Sequence, residues 1–394
     1  MKRNIVHMDL DSYFVSVERL FDSRLNGKPI LIGGSGDRGV VASCSYEARK
    51  FGVHSAMPMR TARQLCPEAL IIRGDFEKYS QKSHEVTEII REEVPLFEKS
   101  SIDEFYIDMT GMDRFFGCFK LSQQIRERII KETGLPISLG LSGNKTVSKV
   151  ATGEAKPNNA KQILLGEEKP FLAPLSVRKI PMIGEKTSQT LYNMGVKKVF
   201  TLQQMPAELL QATFGKNGTM IWEKANGIDT SPVTPYSEAK SISTENTFEQ
   251  DTIDVRMLEA TLVAMCEQLT GKLRQNGQLS ACVSVKIRYS DFDTHTTQQR
   301  IPYSSADHTL IPLVKELFRK LYNRRMLIRL IGIRFSSLVY GNYQISLFED
   351  TQEQINLYQA LDKINGKFGE KSVCRAVGMG VGRRRFNPFN GMAV

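Results

Sequence analysis

Two strand-like apolar runs of this chain carry acidic residues where a sheet core would be expected. The first is Ile5-Val6-His7-Met8-Asp9-Leu10-Asp11; the second is Ser101-Ile102-Asp103-Glu104-Phe105-Tyr106-Ile107-Asp108. A carboxylate inside a strand loses hydration and must be compensated. Side chains alternate between the faces of a strand, so Asp9 and Asp11 share one face. Two antiparallel strands would bring Asp9, Asp103 and Glu104 to one point, where like charges repel. A divalent cation is the simplest remedy. Hard oxygen donors suit Mg²⁺, which keeps waters and phosphate oxygens in its shell. Paired ions about 3.5–4 Å apart can clamp an in-line phosphoryl transfer. The competing reading is a pair of polar strand ends on a half-exposed sheet. Asp9, Asp11, Asp103 and Glu104, among strong β-formers in two separate runs, favour the metal site.

With 394 residues the chain is too long for one ordinary core, and two to four domains are expected. It has no apolar run of 18 residues and no signal-peptide core, so neither a membrane partner nor export is expected. Cys44, Cys66, Cys118, Cys266, Cys282 and Cys374 show no C-x-x-C spacing, which favours reduced thiols in a cytoplasm over a zinc site. The net charge is +10, with the largest share, +4, over residues 240–342. A polyanion partner fits that excess.

Hydrophobic periodicity divides the chain. Up to residue 165, strands alternate with helices: strands at 4–11, 29–34, 39–44, 101–109 and 136–142, helices at 13–21, 46–50, 59–65, 79–93, 121–132 and 144–155. An α+β sheet with helices on one face is expected. Residues 166–235 predict short helices broken by Gly184, Gly195, Gly215, Gly218 and Gly227, ending in the linker Ser231-Pro232-Val233-Thr234-Pro235. Residues 240–340 predict β-α-β-β-α-β, the ferredoxin-like split arrangement. Beyond them, Leu357, Leu361, Ile364 and Phe368 follow helical spacing.

Five stretches occur in an order and spacing that resemble the Y-family DNA polymerases, in particular their bacterial DNA polymerase IV branch. They are His7 to Phe14, Gly39 to Ser43, Ser45 to Val53, Ser101 to Glu104 and Ala155 to Asn158. The resemblance spans roughly residues 1–342. It implies a multidomain α+β fold: a palm with an antiparallel sheet (1–12 and 76–165), small fingers (13–75), a helical thumb with a helix-hairpin-helix (166–235) and a ferredoxin-like little finger (236–342). A tail follows (343–394). The implied activity is template-directed addition of dNTPs to a primer 3′ end.

On that resemblance Asp9, Asp103 and Glu104 are the catalytic carboxylates. Asp9, Asp103, Glu104 and the Leu10 carbonyl hold two Mg²⁺ ions, for which Mn²⁺ can substitute. Asp11 either orients the site or satisfies nearby backbone donors. Ser12, Tyr13, Phe14, Ser43, Tyr46, Arg49 and Lys156 contact the nucleotide. Tyr46 and Arg49 stand three apart at a helix start, hence on one face. An Arg fork and a Lys point charge both suit triphosphate oxygens. Phe14 is the steric gate against a 2′-hydroxyl, and Tyr13 is the alternative for it.

Ile183, Gly184 and Lys186 belong to a hairpin turn that offers backbone N–H groups to a DNA phosphate. Met182 stands where the family often has Gly. Gln344, Leu347 and Phe348, within Gln344-Ile345-Ser346-Leu347-Phe348, resemble the short peptides that dock on the sliding clamp, the beta subunit of the replicase. Only about sixty residues are available for fingers. So small a subdomain cannot close tightly on the nascent base pair, and low-fidelity synthesis past damaged bases follows. No stretch is left for a proofreading domain, and a monomer is expected. Two other readings are a nucleotidyl cyclase and a catalytically dead DNA-binding scaffold. The hairpin and the basic 240–342 block count against the first, and the intact carboxylates against the second.

Overall fold

The computed structural model describes residues 3–36, 38–112, 117–235, 237–341, 352–369 and 372–378. The chain forms two compact units, one ending at Ser237 and the next beginning at Glu238.

The first unit starts with β1 (Ile5–Leu10) and α1 (Tyr13–Phe21). A small layer follows: β2 (Ile30–Gly33), β3 (Val41–Cys44), α2 (Tyr46–Arg49), α3 (Met59–Leu65) and β4 (Leu70–Ile72). Its sheet has the order β3-β2-β4, with β2 antiparallel to β3 and parallel to β4. Leu31, Val41, Met59 and Ala62 give it a separate core. Next come α4 (Phe76–Glu93), β5 (Phe97–Lys99), β6 (Glu104–Asp108), α5 (Cys118–Thr133), β7 (Ile137–Ser142), α6 (Lys145–Ala155) and β8 (Ala160–Gln162). The main sheet runs β5-β6-β1-β7-β8, antiparallel except for the β7–β8 pair.

Alternation explains how this sheet is covered. Val6, Met8 and Leu10 of β1, with Phe105 and Ile107 of β6, join Ile90 of α4 and Ile125 and Ile129 of α5 in the largest core. His7, Asp9, Glu104 and Tyr106 therefore face the other way. That second face is not open, as helices on one side alone would leave it. α6 packs there against β7 and β1. The approach is close at Gly140, where a Cβ would meet the Ser148 carbonyl oxygen at 2.3 Å. Asn144 caps α6 by accepting from the Val147 N–H (2.9 Å).

Residues 166–235 form α7 (Glu168–Leu172), α8 (Glu185–Asn193), α9 (Val199–Gln204), α10 (Ala207–Phe214) and α11 (Lys216–Ala225). Their core includes Leu172, Leu191, Leu202 and Ile221, and also Val147, Val150 and Ala151 of α6. This helix thus carries lysines toward the sheet and apolar residues toward the short helices.

The second unit has β9 (Ser241–Thr252), α12 (Val255–Gln275), β10 (Gln278–Tyr289), β11 (Thr294–Ser304), α13 (Asp307–Leu321) and β12 (Ile328–Tyr340). The expected β-α-β-β-α-β succession is present. Its sheet order is β11-β10-β12-β9, antiparallel throughout, so each β-α-β half is split by a strand of the other. Both long helices pack into one core with Val283, Val285, Ile331 and Phe335. A last helix, α14 (Gln352–Phe368), sets Tyr358 and Asp362 against α12 and α13.

Candidate active site

Register brings the two acidic runs together. In the β1–β6 pair, Asp9 lies directly opposite Glu104. Strand β6 is shorter than the 101–109 expected, and it leaves Asp103 in the turn before it. Ser101 is the reason. Its Oγ accepts from the backbone N–H of Asp103 (3.3 Å) and of Glu104 (3.1 Å), and donates to Asp103 Oδ1 (2.6 Å). The Leu10 N–H ties this turn to β1 through the Asp103 carbonyl (3.0 Å). Ser83 of α4 holds it from behind through the Ile102 carbonyl (2.5 Å).

Asp11 does not continue β1, which ends at Leu10, so the shared strand face expected for Asp9 and Asp11 is not formed. Asp11 is buried. Its carboxylate accepts from Tyr46 Oη (3.1 Å), Ser138 Oγ (2.8 Å) and the Asn158 N–H (2.7 Å). Asp11 thus ties Tyr46 of α2 to the main sheet and also satisfies the Asn158 backbone N–H.

Two lysines answer the remaining negative charge. Lys156 Nζ lies 2.5 Å from Asp9 Oδ1 and 3.7 Å from Asp11. Lys149 Nζ contacts both Glu104 oxygens, at 2.8 and 2.6 Å. Burial raises the Asp9 pKa; Lys156 opposes this, while Asp103 and Glu104 add to it. Burial, with Glu104, likewise raises that of Asp103. Burial also acts against Glu104, but His7 and Lys149 overcome it and hold this carboxyl well below its usual range.

Among the described residues no three acidic, histidine or cysteine side chains converge as a ready metal cage. Lys156 and Lys149 engage Asp9 and Glu104 instead. The donor chemistry still fits a divalent cation. Three carboxylates stand on adjoining backbone, and two of them hold their protons more tightly than usual because they are buried beside other carboxylates.

Ser12 turns the chain from β1 into α1 at φ +43°, and its buried Oγ has no hydrogen-bond partner among the described residues. Tyr13 is core-like: its Oη donates to the Tyr79 carbonyl (2.5 Å). Phe14 stacks on the Tyr79 ring. Ser43 is buried on β3, and the Arg49 guanidinium lies over the Tyr46 ring at 5.0 Å. Ile183, Gly184 and Lys186 lie apart from the carboxylates, at the N-terminus of α8, where Gly184 is the N-cap. Met182 has φ +80° there. The peptide Gln344 to Phe348 lies outside the described residues.

Four residues that shape the site went unnoticed in the sequence: His7, Tyr79, Ser138 and Lys149. Lys149 had a readable signal, since it precedes Lys156 by seven residues, about two helical turns.

Comparison with known proteins agrees with this geometry. Residues 8–153 match the impB/mucB/samB family and residues 239–347 its C-terminal domain. Residues 178–229 match the thumb domain described for DNA polymerase-iota. Among curated relatives, DNA polymerase IV of Dehalococcoides mccartyi (strain CBDB1) is 38% identical over 375 residues, covering 94% of this chain and 96% of that protein. DNA polymerase IV of Clostridioides difficile (strain 630) is 33% identical, covering 92% and 98%. Among solved structures, a Y-family DNA polymerase chimera, Dbh-Dpo4(243-245)-Dbh, aligns with TM-score 0.78 at 24% identity, over 86% of this chain and all of that one. An insertion ternary complex of Dbh DNA polymerase aligns with TM-score 0.62 at 23% identity. The chain belongs to the impB/mucB/samB family, the Y-family DNA polymerases. It is a DNA-directed DNA polymerase.

Proposed function

We propose that this protein extends a DNA primer on a template, one dNTP at a time, and does so across damaged template bases. The cross-strand pairing of Asp9 with Glu104, with Asp103 beside them, carries this reading. These carboxylates would hold two Mg²⁺ ions, and the Leu10 carbonyl is a further candidate ligand. When bound, the ions supply charge stabilisation for phosphoryl transfer.

The chain's own residues would do the rest. Lys156, Tyr46 and Arg49 border one side of the cluster and offer cations and a hydroxyl to a triphosphate. Phe14, flat and backed by Tyr79, would exclude a 2′-hydroxyl. Ser12 and Ser43, both buried near these residues, would complete the nucleotide contacts. The turn at Ile183, Gly184 and Lys186 presents the start of a helix suited to a DNA phosphate. The layer built on β2, β3 and β4 is small, which favours an open site tolerant of damaged bases. The motif Gln344 to Phe348 supports a further partner, the sliding clamp.

Primer extension with single dNTPs and Mg²⁺, on intact and lesion-bearing templates, tests the reading. Extension on both templates, abolished by Asp103→Ala or Glu104→Ala with DNA binding retained, is expected. A cyclic product from NTP alone, or DNA binding without turnover in the unmodified protein, would refute it.

A further inference from the structure

The face of α6 turned toward the main sheet carries a row of cations. Lys145 and Lys149 are four residues apart on α6, and Lys156, the C-cap of this helix, follows seven later. At about 3.6 residues per turn these spacings keep all three on one stripe. Each ends on a carboxylate of a different strand, and the strands are neighbours. Lys145 meets Glu98 of β5 (2.7 Å), Lys149 meets Glu104 of β6 (2.6 Å) and Lys156 meets Asp9 of β1 (2.5 Å). Glu98 also accepts from the Thr234 N–H, so that first pair fastens the linker. Lys156 already has a part as a triphosphate cation. Lys149 has none.

The Lys149 pair is two-pronged, and its partners keep 35% and 21% of their side-chain surface. His7 Nε2 is 3.9 Å from Glu104, beyond hydrogen-bond reach. The His7 ring is itself fixed through Nδ1 to Thr152 Oγ1 (2.9 Å). Lys149 thus fixes the direction of a side chain with three rotatable bonds. Its own anchor is rigid, because α6 is capped by Asn144 and seated closely on Gly140. Site geometry held by such a scaffold is reproducible to a fraction of an ångström.

We propose that Lys149 is a positioning residue of the polymerase reaction: it grips both oxygens of Glu104, sets where that carboxylate stands, and limits the negative charge the cluster offers a divalent cation. This rests on the reading of Glu104 as a catalytic carboxylate. Two consequences oppose each other. Removing the ammonium lets Glu104 swing, which slows turnover. It also leaves the cluster more negative, which tightens cation binding.

The test compares Lys149→Met, Lys149→Arg and Glu104→Ala in the full chain. Lys149→Met is expected to lower kcat at least about tenfold, with KM for dNTP and Kd for primer-template nearly unchanged, since a small misplacement suffices for that loss. Its affinity for Mn²⁺ without DNA, read from the electron paramagnetic resonance of the free ion, is expected to rise severalfold. Lys149→Arg, which keeps charge and reach, should turn over close to wild type. Wild-type kcat in Lys149→Met, with Glu104→Ala inactive, overturns the positioning role alone. So does Mn²⁺ binding that weakens together with kcat, the mark of general damage to the site. An active Glu104→Ala would remove the underlying reading of Glu104, and the role of Lys149 with it.

Discussion

Phe14 lies flat on Tyr79, ring centroids 4.3 Å apart and planes 13° from parallel. Tyr79 is fully buried and donates from Oη to Glu18 Oε1 (2.6 Å). The Phe14 ring is therefore backed by a side chain that cannot retreat, as a gate against an added hydroxyl requires. Phe14→Ala should raise the ratio of kcat/KM for rNTP to that for dNTP by at least about tenfold, or ~1.4 kcal/mol of lost discrimination. Single-nucleotide insertion kinetics check it. An unchanged ratio would point to another gate.

The raised pKa of Asp9 makes stability depend on pH in a definite direction. Its ordinary value of 3.8 is pushed up to about 7 on folding, first by burial and then, against Lys156, by Asp103 and Glu104. The folded state thus holds the proton more tightly than the unfolded one. Raising pH through that interval costs stability, and the cost is complete above it. Asp9→Asn should therefore melt higher than wild type by a few degrees at pH 8 without divalent cation, and by nothing near pH 3.5. Melting curves at the two pH values decide it. Equal shifts at both would mean that the Asp9 carboxylate bears no electrostatic strain.

The carboxylate pair was legible in the sequence because two β-rich runs carried charge where none belongs. Position along the strands was less legible. Asp103 leaves β6 because Ser101 binds two backbone N–H groups, a local competition that periodicity does not register. Asp11 looked like a strand neighbour of Asp9, yet it serves Tyr46, Ser138 and Asn158, all remote in sequence. Lys149 was overlooked for a different reason: its spacing to Lys156 was readable, but a lysine four residues after another on a helix reads first as a solvated face. Tyr79 passed unremarked at the start of an amphipathic helix. The order of elements in the second unit was legible, since its long strands and helices repeat their periods several times.

Met182 has φ +80° and is 70% exposed. A residue with a Cβ loses about 1–2 kcal/mol in that region, and glycine does not. Met182→Gly should stabilise the protein by the difference between that relief and the extra unfolded-state freedom of glycine, leaving up to about 1 kcal/mol. Met182→Ala keeps the Cβ and should gain nothing. Urea denaturation of the two variants separates strain from loss of an exposed methionine. A gain in the Ala variant equal to that of Gly would contradict the strain argument.

The tail helix α14 is held by charge. Arg274 donates to both Asp362 oxygens (2.7 and 2.9 Å) and to Asp307 (3.0 Å), and its guanidinium lies 5.0 Å from the Tyr358 ring centroid. Asp307 is buried. Removing one partner of a buried ion pair is costly because the other charge stays behind. Arg274→Met should accelerate proteolysis within residues 352–369 several-fold and lower the melting temperature. Unchanged cleavage there would mean that Tyr358, stacked on His308, suffices to hold the helix.

Between β12 and α14 the chain carries Gln344-Ile345-Ser346-Leu347-Phe348. A polymerase with a small, open grip should leave DNA soon after each addition. Binding a ring that encircles DNA raises the effective concentration of the primer end without any new contact at the active site. Leu347 and Phe348 are the apolar anchors of the peptide, and a few such anchors carry most of an interface's energy. Changing both to Ala should leave synthesis on short primers unaltered, because neither residue is among those assigned to the carboxylates or the nucleotide. On the proposal that this peptide docks on the clamp, it should also remove any lengthening of products by clamp on long, clamp-loaded templates. Product length with and without clamp, for both proteins, is the measurement. Full stimulation of the double variant would show that these two residues do not bind the clamp.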